Sequence, residues 1–353
     1  MRIIHCIFSF NVGGAETMLV DILNEQVLEH EVHLIVINKS YSDDLLKSLD
    51  KRVKCHLIGR VPGIRGIFSL IKLHLLIGLL KPRILHVHHT KLLDIFLPMQ
   101  KTLKVITIHD VGIELFRLNR ADLIIAISEA VKEDVESRSG FPCVLIPNGI
   151  RCKDVRVKST SMHHPFRILQ VGRLDNYKKG CDITIQAVAQ LRKENVDISL
   201  AMIGEGSGEK DIRSWIASFN LEDCVRLLGK QSRSYIYEEM ANYDLLIQPS
   251  RYEGFGLTVA EGLAAKLPVL VSNSGGPIEI IKQGRYGYFF QSEDVDACVQ
   301  TIKHIISHYD EALERATLAL EYVREEYGIQ RLVSRYIQAY EQLLSAKNDA
   351  ILK

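Results

Sequence analysis

The chain has 353 residues, 47% hydrophobic, 25% charged and 7% aromatic, with 23 glycines and only 9 prolines, which excludes a disordered or collagen-like chain. Its 44 basic and 43 acidic side chains leave a net charge of +1, so it is no polycation and no nucleic-acid partner is expected. At this length one hydrophobic core rarely suffices, and two domains of about 150–200 residues each are expected.

The first fourteen residues, MRIIHCIFSFNVGG, lack the ordered n-region, h-region and cleavage site of a signal peptide and read as a first strand. Apolar runs at Arg2–Phe8, Val32–Ile37, Val53–Ile58, Arg83–His88, Lys104–Ile108, Asp122–Ile127 and Val144–Ile146 read as strands. Helical periods fill the gaps, among them Glu16–Leu28, Ile67–Leu80 and Glu129–Ser137. The stretch Ile67–Leu80 is strongly apolar, but it carries Lys72 and His74 and is too short to span a bilayer. After Asn148-Gly149 the pattern pauses through a polar segment, 151–165, expected to be a linker. It then restarts, with strands at Phe166–Val171, Ile198–Ile203, Val225–Leu228, Leu245–Gln248 and Val269–Val271. From Val295 the tail is helical to about Ser345, with a break near Tyr327-Gly328. The expected architecture is α/β: two Rossmann-like domains, 1–150 and 166–353, facing a central crevice. The helix from about residue 328 is expected to pack back on the first domain. Ligands bind such parallel sheets at the carboxyl ends of their strands.

Seven cysteines are scattered without a C-x-x-C pair, which argues against a disulfide scaffold or a thiolate zinc site and for a reducing, cytoplasmic setting. Residues 51–104 hold eleven basic side chains, among them Arg60, Arg65, Lys72, Lys81 and Arg83, against one acid, Asp94, a local excess of +10. Solvated helix faces explain this; so does a cationic, partly apolar surface for an anionic membrane or an acidic acceptor.

Three segments could carry chemistry. Gly13-Gly14 follows the first strand and opens a helix, as an oxyanion loop or a plain tight turn would. Arg173 ends the strand at Val171, and Lys178-Lys179-Gly180 leads into the next helix; two fixed cations there suit a diphosphate without a metal. The sharpest segment is Gln248-Pro-Ser-Arg-Tyr-Glu253-Gly254-Phe255-Gly256-Leu257-Thr-Val-Ala-Glu261. A glycine-rich turn before a helix offers N–H groups to an anion, and two carboxylates beside it can accept from vicinal hydroxyls, which together suggest a nucleotide sugar. His86, His88 and His89 cluster, but no Asp, Glu or Cys stands close by in sequence, so a packed or hydrogen-bonded pair is favoured over a metal site.

In order along the chain, Gly13-Gly14-Ala-Glu16, Thr107-Ile-His109-Asp110, Ala126-Ile-Ser128-Glu-Ala, Ile146-Pro-Asn-Gly-Ile150, Gly172-Arg173…Lys179-Gly180 and Glu253…Glu261 resemble the motifs of the retaining family-4 glycosyltransferases, which have the GT-B fold. The resemblance implies a transferase moving a hexose-type sugar, with retention, from a nucleoside-diphosphate sugar to a hydroxyl of a glycan or lipid-linked acceptor. Surface polysaccharide or lipopolysaccharide synthesis would be its setting, at the inner face of the membrane. UDP is the commonest base in the family, with GDP and ADP left open. By resemblance Arg173 and Lys179 hold the diphosphate, with Lys178 a competitor, because the loop from Arg173 is one residue longer than the commonest form. The N–H groups of Phe255, Gly256 and Leu257, after Gly254, meet phosphate and sugar. Glu253 meets the sugar and Glu261 the ribose, and His109 contacts the sugar near the reacting carbon. No metal or other cofactor is expected. A nucleotide-sugar epimerase of the same fold and a non-catalytic partner subunit stand as alternatives.

Overall fold

The computed structural model describes residues 1–61, 66–96, 101–159 and 161–351. The chain divides into two units, Met1–Gly149 with Ile329–Lys353, and Ile150–Gly328.

The first unit is built on a seven-stranded parallel sheet of β1 (Arg2–Ile7), β2 (Glu31–Asn38), β3 (Lys54–Arg60), β4 (Ile84–Val87), β5 (Leu103–Ile108), β6 (Leu123–Ala126) and β7 (Val144–Leu145), in the order β3-β2-β1-β4-β5-β6-β7. The order reverses direction beside β1, the topological switch at which open α/β sheets take their ligands. Its central strands are buried along almost their whole length, which is why they appear in sequence as unbroken apolar runs. The C-terminal helix Ile329–Ile351 belongs to this unit: Tyr336 and Tyr340 are fully buried there, with His86 edge-on to both rings.

The second unit has a six-stranded parallel sheet of β8 (Phe166–Val171), β9 (Ile198–Ile203), β10 (Val225–Leu227), β11 (Leu245–Gln248), β12 (Val269–Ser272) and β13 (Tyr288–Phe290), ordered β10-β9-β8-β11-β12-β13. β13 has no counterpart in the sequence reading; three residues between Gly287 and Gln291 are too few to show a period. The segment expected as a linker is packed on this unit. Arg156 N–H donates to the Tyr237 carbonyl over 3.1 Å, and the Lys158 ammonium, fully buried, meets Asp244 over 3.1 Å. Asp244 also accepts from the backbone N–H groups of His163 and Arg167. A buried carboxylate with this many donors anchors the entry to β8.

Candidate functional site

In the second unit the loops after β8 and β11 carry the residues singled out in sequence, and the loop after β9 backs the first of them. Gly172 N–H closes on the Ile203 carbonyl, and Leu174 N–H on Glu205, joining the β8 and β9 loops. Arg173 is exposed in the first of these loops; its carbonyl accepts from Asp175 N–H over 2.8 Å, and its side chain pairs with no other described residue. Asp175 caps the short helix Asn176–Lys179 through Lys178 N–H, and the chain turns at Gly180 with φ 61° into the helix Cys181–Lys193. A Cβ on Gly180 would overlap the Pro249 carbonyl, so only glycine brings Lys179 this close to the β11 loop.

That approach separates the two lysines. The Lys179 ammonium forms an ion pair with Glu253, both side chains mostly buried, whereas Lys178 lies over the Tyr252 ring at 5.6 Å from its centroid. Glu253 also accepts from Gln248 Nε2 over 3.2 Å, and Gln248 Oε1 accepts from the Thr258 hydroxyl over 2.5 Å. The nearby Arg251 is fully engaged, bidentate to Asp182 over 3.0 and 2.8 Å and paired with Glu293 over 2.6 Å. Its guanidinium is thereby held still more firmly protonated than usual.

Beyond Glu253 the chain runs through Gly254 and Phe255, both buried, and Gly256, at φ 101°, opens the helix Leu257–Ala264. The N–H groups of Phe255 and Gly256 donate to no backbone carbonyl among the described residues, and Leu257 begins the helix; donors left open at a helix start are suited to an anion. Glu261, about one turn into that helix, accepts from the Tyr237 hydroxyl over 2.9 Å, and Arg233 Nε donates to the same hydroxyl over 2.7 Å. Burial and the Glu261 charge push the Tyr237 phenol up, so it remains a donor. Glu253 and Glu261 therefore sit in different pairings, one with a lysine and one with a tyrosine.

Sequence reasoning passed over several supporting residues. Gly275-Gly276 lies directly under the Glu253–Phe255 backbone, with Gly276 N–H donating to the Glu253 carbonyl over 2.9 Å; a Cβ on Gly276 would strike Phe255. Gly204 and Gly206 back the loop of Arg173 in the same manner. The visible signal was a second set of glycines following strands β9 and β12.

In the first unit Gly13 caps the helix Gly14–Gln26 in extended conformation, its carbonyl accepting from Thr17 Oγ1 over 2.7 Å. Ala15 and Glu16 line a cavity of about 300 Å³ with Ile7, Phe8, His88, His89 and His109. His109 follows β5; its Nε2 lies 3.2 Å from His88 Nδ1, and its own Nδ1 is buried without a partner. Burial lowers its pKa from 6.5 to about 4, so the ring is neutral at pH 7. The histidine cluster gathers His5, His86 and His88, with His5, not His89, as the third member. All six ring nitrogens are already engaged: His86 with Tyr340 and Thr107 over 2.6 and 2.7 Å, His5 with Gln26 and His88, and His88 with His5 and His109. The arrangement is a hydrogen-bonded network, not a set of free metal ligands.

On the outside of this unit the helix Ile67–Leu80 turns Phe68 (85% exposed), Ile71, Leu75 and Leu79 (79% exposed) to solvent in one stripe. It borders an open groove of about 630 Å³ against the edge strand β3. The basic excess is smaller here than the sequence count: Arg52 pairs with Asp50, Lys54 with Glu31 and Lys91 with Glu114, and Lys104 is buried. Arg65 lies outside the described residues. No helix among the described residues is long and apolar enough to cross a membrane.

Two Rossmann-like units of parallel strands define the GT-B class of fold. A glycosyltransferase from Rickettsia africae has it, with a TM-score of 0.81 at 18% identity over 97% of this chain and 98% of that one. So does Anabaena HepE, solved in complex with UDP, with a TM-score of 0.81 at 19% identity over 97% and 100%. Residues 12–154 match the family described as Glycosyltransferase Family 4, and residues 153–318 the one described as Glycosyl transferases group 1. The chain belongs to the family-4 glycosyltransferases. A glycosyltransferase of Methanocaldococcus jannaschii is 27% identical over 193 residues, 55% of this chain and 52% of that protein. LpcC of Rhizobium leguminosarum bv. viciae, named as a lipopolysaccharide core biosynthesis mannosyltransferase, is 26% identical over 240 residues, 64% and 66%. The chain spans about half the length of the curated relatives it matches first.

Proposed function

We propose that the protein transfers a hexose-type sugar, with retention, from a nucleoside-diphosphate sugar, UDP-linked in the first instance, to a hydroxyl of a glycan or lipid-linked acceptor in surface polysaccharide or lipopolysaccharide synthesis. The observation that carries this reading is the Lys179–Glu253 ion pair, which joins the segment that follows Arg173 to the glycine loop 254–256. A diphosphate entering that loop takes over Lys179 and joins it to Arg173, and Glu253, released, accepts from a sugar hydroxyl. Glu261, braced by Tyr237, accepts from the ribose, and His109 accepts from the sugar. The bond between the anomeric carbon and the diphosphate oxygen breaks, the acceptor oxygen bonds the same face of that carbon, and the acceptor's proton passes to the departing phosphate. Arg173 and Lys179 neutralise the charge that develops there, work for which no metal or cofactor is required.

The apolar stripe of Ile67–Leu80, flanked by Lys72, Lys81 and Arg83, holds the enzyme reversibly on the anionic inner face of the membrane, where a lipid-linked acceptor resides. A thermal-shift screen against nucleotide sugars, followed by transfer to a glycan or lipid acceptor in EDTA, tests the reading. Stabilisation by one nucleotide sugar, with transfer in chelator, is expected. A product made from the donor alone, with no acceptor, would instead make the protein an epimerase.

A further inference from the structure

The first unit contains a chain of hydrogen bonds whose direction is fixed at one end. Gln26, the last residue of the helix Gly14–Gln26, is buried and turns its carbonyl oxygen to His5 Nε2 at 2.8 Å. His5 Nδ1 lies 3.0 Å from His88 Nε2, and His88 Nδ1 lies 3.2 Å from His109 Nε2. The three rings come from β1 and from the ends of β4 and β5, adjacent strands of one sheet, and they stack in sequence with centroids 5.3 and 5.4 Å apart.

A carbonyl oxygen only accepts, so His5 carries its proton on Nε2. Burial lowers the pKa of all three rings below the usual 6.5, which leaves one proton on each at neutral pH. His5 Nδ1 is then bare and accepts from His88 Nε2–H. His88 Nδ1 is bare in turn and accepts from His109 Nε2–H. At the end of the chain His109 Nδ1 holds a lone pair, is buried and meets no donor among the described residues, while His109 is one of the residues that line the cavity with Glu16.

We propose that Gln26, His5 and His88 are positioning residues that hold His109 as its Nε2–H tautomer and keep Nδ1 a fixed hydrogen-bond acceptor. For what meets that nitrogen, the inference rests on the transferase reading: a sugar hydroxyl brings the missing proton, whereas a carboxylate or phosphate oxygen would bring only a second lone pair. An isolated imidazole samples both tautomers, so a relay anchored on a side-chain amide removes the wrong one before substrate arrives.

The test is nitrogen-15 spectroscopy of the full-length, substrate-free protein labelled at histidine, with His109 assigned by its loss in His109→Asn. At pH 7 the relay gives His109 a protonated Nε2 and a pyridine-like Nδ1. A protonated Nδ1, or two tautomers in exchange, would overturn it. Gln26→Leu removes the anchor and is expected to bring His109 into exchange between tautomers, while Gln26→Glu, which still offers an acceptor, restores the single form. An unchanged His109 spectrum in Gln26→Leu would remove Gln26 from the relay; should that variant fail to fold, the wild-type spectrum decides alone. Because no sugar is present, a failed transfer assay with the expected spectrum counts against the transferase reading only. A reversed tautomer in a working transferase counts against the relay only.

Discussion

The two units meet the need for polar chemistry inside an α/β sheet in opposite ways. The first collects neutral rings: His5, His86, His88 and His109 are linked to one another, to Gln26, Thr107 and Tyr340. The second collects charge: Lys179 against Glu253, Glu261 beside Arg233 and Tyr237, and Arg173 exposed at the loop tip. Full charges suit a diphosphate that leaves with negative charge developing on it, while neutral acceptors suit hydroxyls. A charge buried without a partner would be costly, so the first unit's network works only while it stays uncharged.

Acid offers the largest test of that contrast. His5 and His109 each fall from 6.5 to about 4 on folding, so the unfolded chain binds protons that the native rings refuse. The contribution of these rings to stability is whole above pH 6.5 and is expected to be lost as pH falls toward 4, by about 1.4 kcal/mol per pH unit for each ring, or about 3 kcal/mol each over the window. Denaturant titrations between pH 7 and 4 should show this steep loss, and His109→Asn should reduce its slope by one ring's share while the share of His5 remains. A profile flat across that window would mean that the rings are already charged or solvated. The next effect belongs to the charged unit. Arg173→Ala and Lys179→Ala should each lower turnover about a hundredfold, roughly 3 kcal/mol, and Lys178→Ala far less, because Lys178 rests on Tyr252. Equal losses for the two lysines in transfer assays would erase the distinction between them.

Much of this was legible in sequence. Buried parallel strands are continuous apolar runs, and β8, β9 and β11 fall on the expected residues; the helix Ile67–Leu80 does so as well. What escaped depended on contacts distant in sequence. His5 sits inside an apolar strand and gives no local sign that His88 and Gln26 converge on it; Gln26 looks like an ordinary helix-end residue. Tyr237 reaches Glu261 from 24 positions away, and Gly276 is needed only because another loop crosses it. The choice between Lys178 and Lys179 depends on how the turn at Gly180 aims them, which composition does not carry. The +10 stretch read as one surface because neutralising partners such as Glu31, Asp50 and Glu114 lie outside it in sequence.

Two smaller effects sharpen the comparison. Gly180→Ala forces a side chain into a φ of 61° and against the Pro249 carbonyl, with an expected cost of about 1–3 kcal/mol in thermal unfolding and a matching loss of nucleotide binding. Unchanged binding in that variant would separate the turn from the donor site. On the surface of the neutral unit, Phe68→Ser with Leu79→Ser should weaken sedimentation with anionic vesicles, and Lys72→Ser should do so by about 1 kcal/mol, an effect that fades with salt. Binding that ignores these changes would drop the membrane contact and leave the donor chemistry untouched.

The central claim, that the charged unit holds a nucleoside diphosphate without a metal, is tested most directly by calorimetric titration of UDP in EDTA into the wild type, Lys179→Ala, Glu253→Gln and Glu261→Gln. Wild type should bind. Lys179→Ala should lose roughly a hundredfold. Glu261→Gln should bind more weakly, and Glu253→Gln, with its lysine released, at least as tightly as wild type. Equal affinity in all four proteins, or UDP, GDP and ADP binding that appears only when magnesium or manganese is restored, would contradict the account.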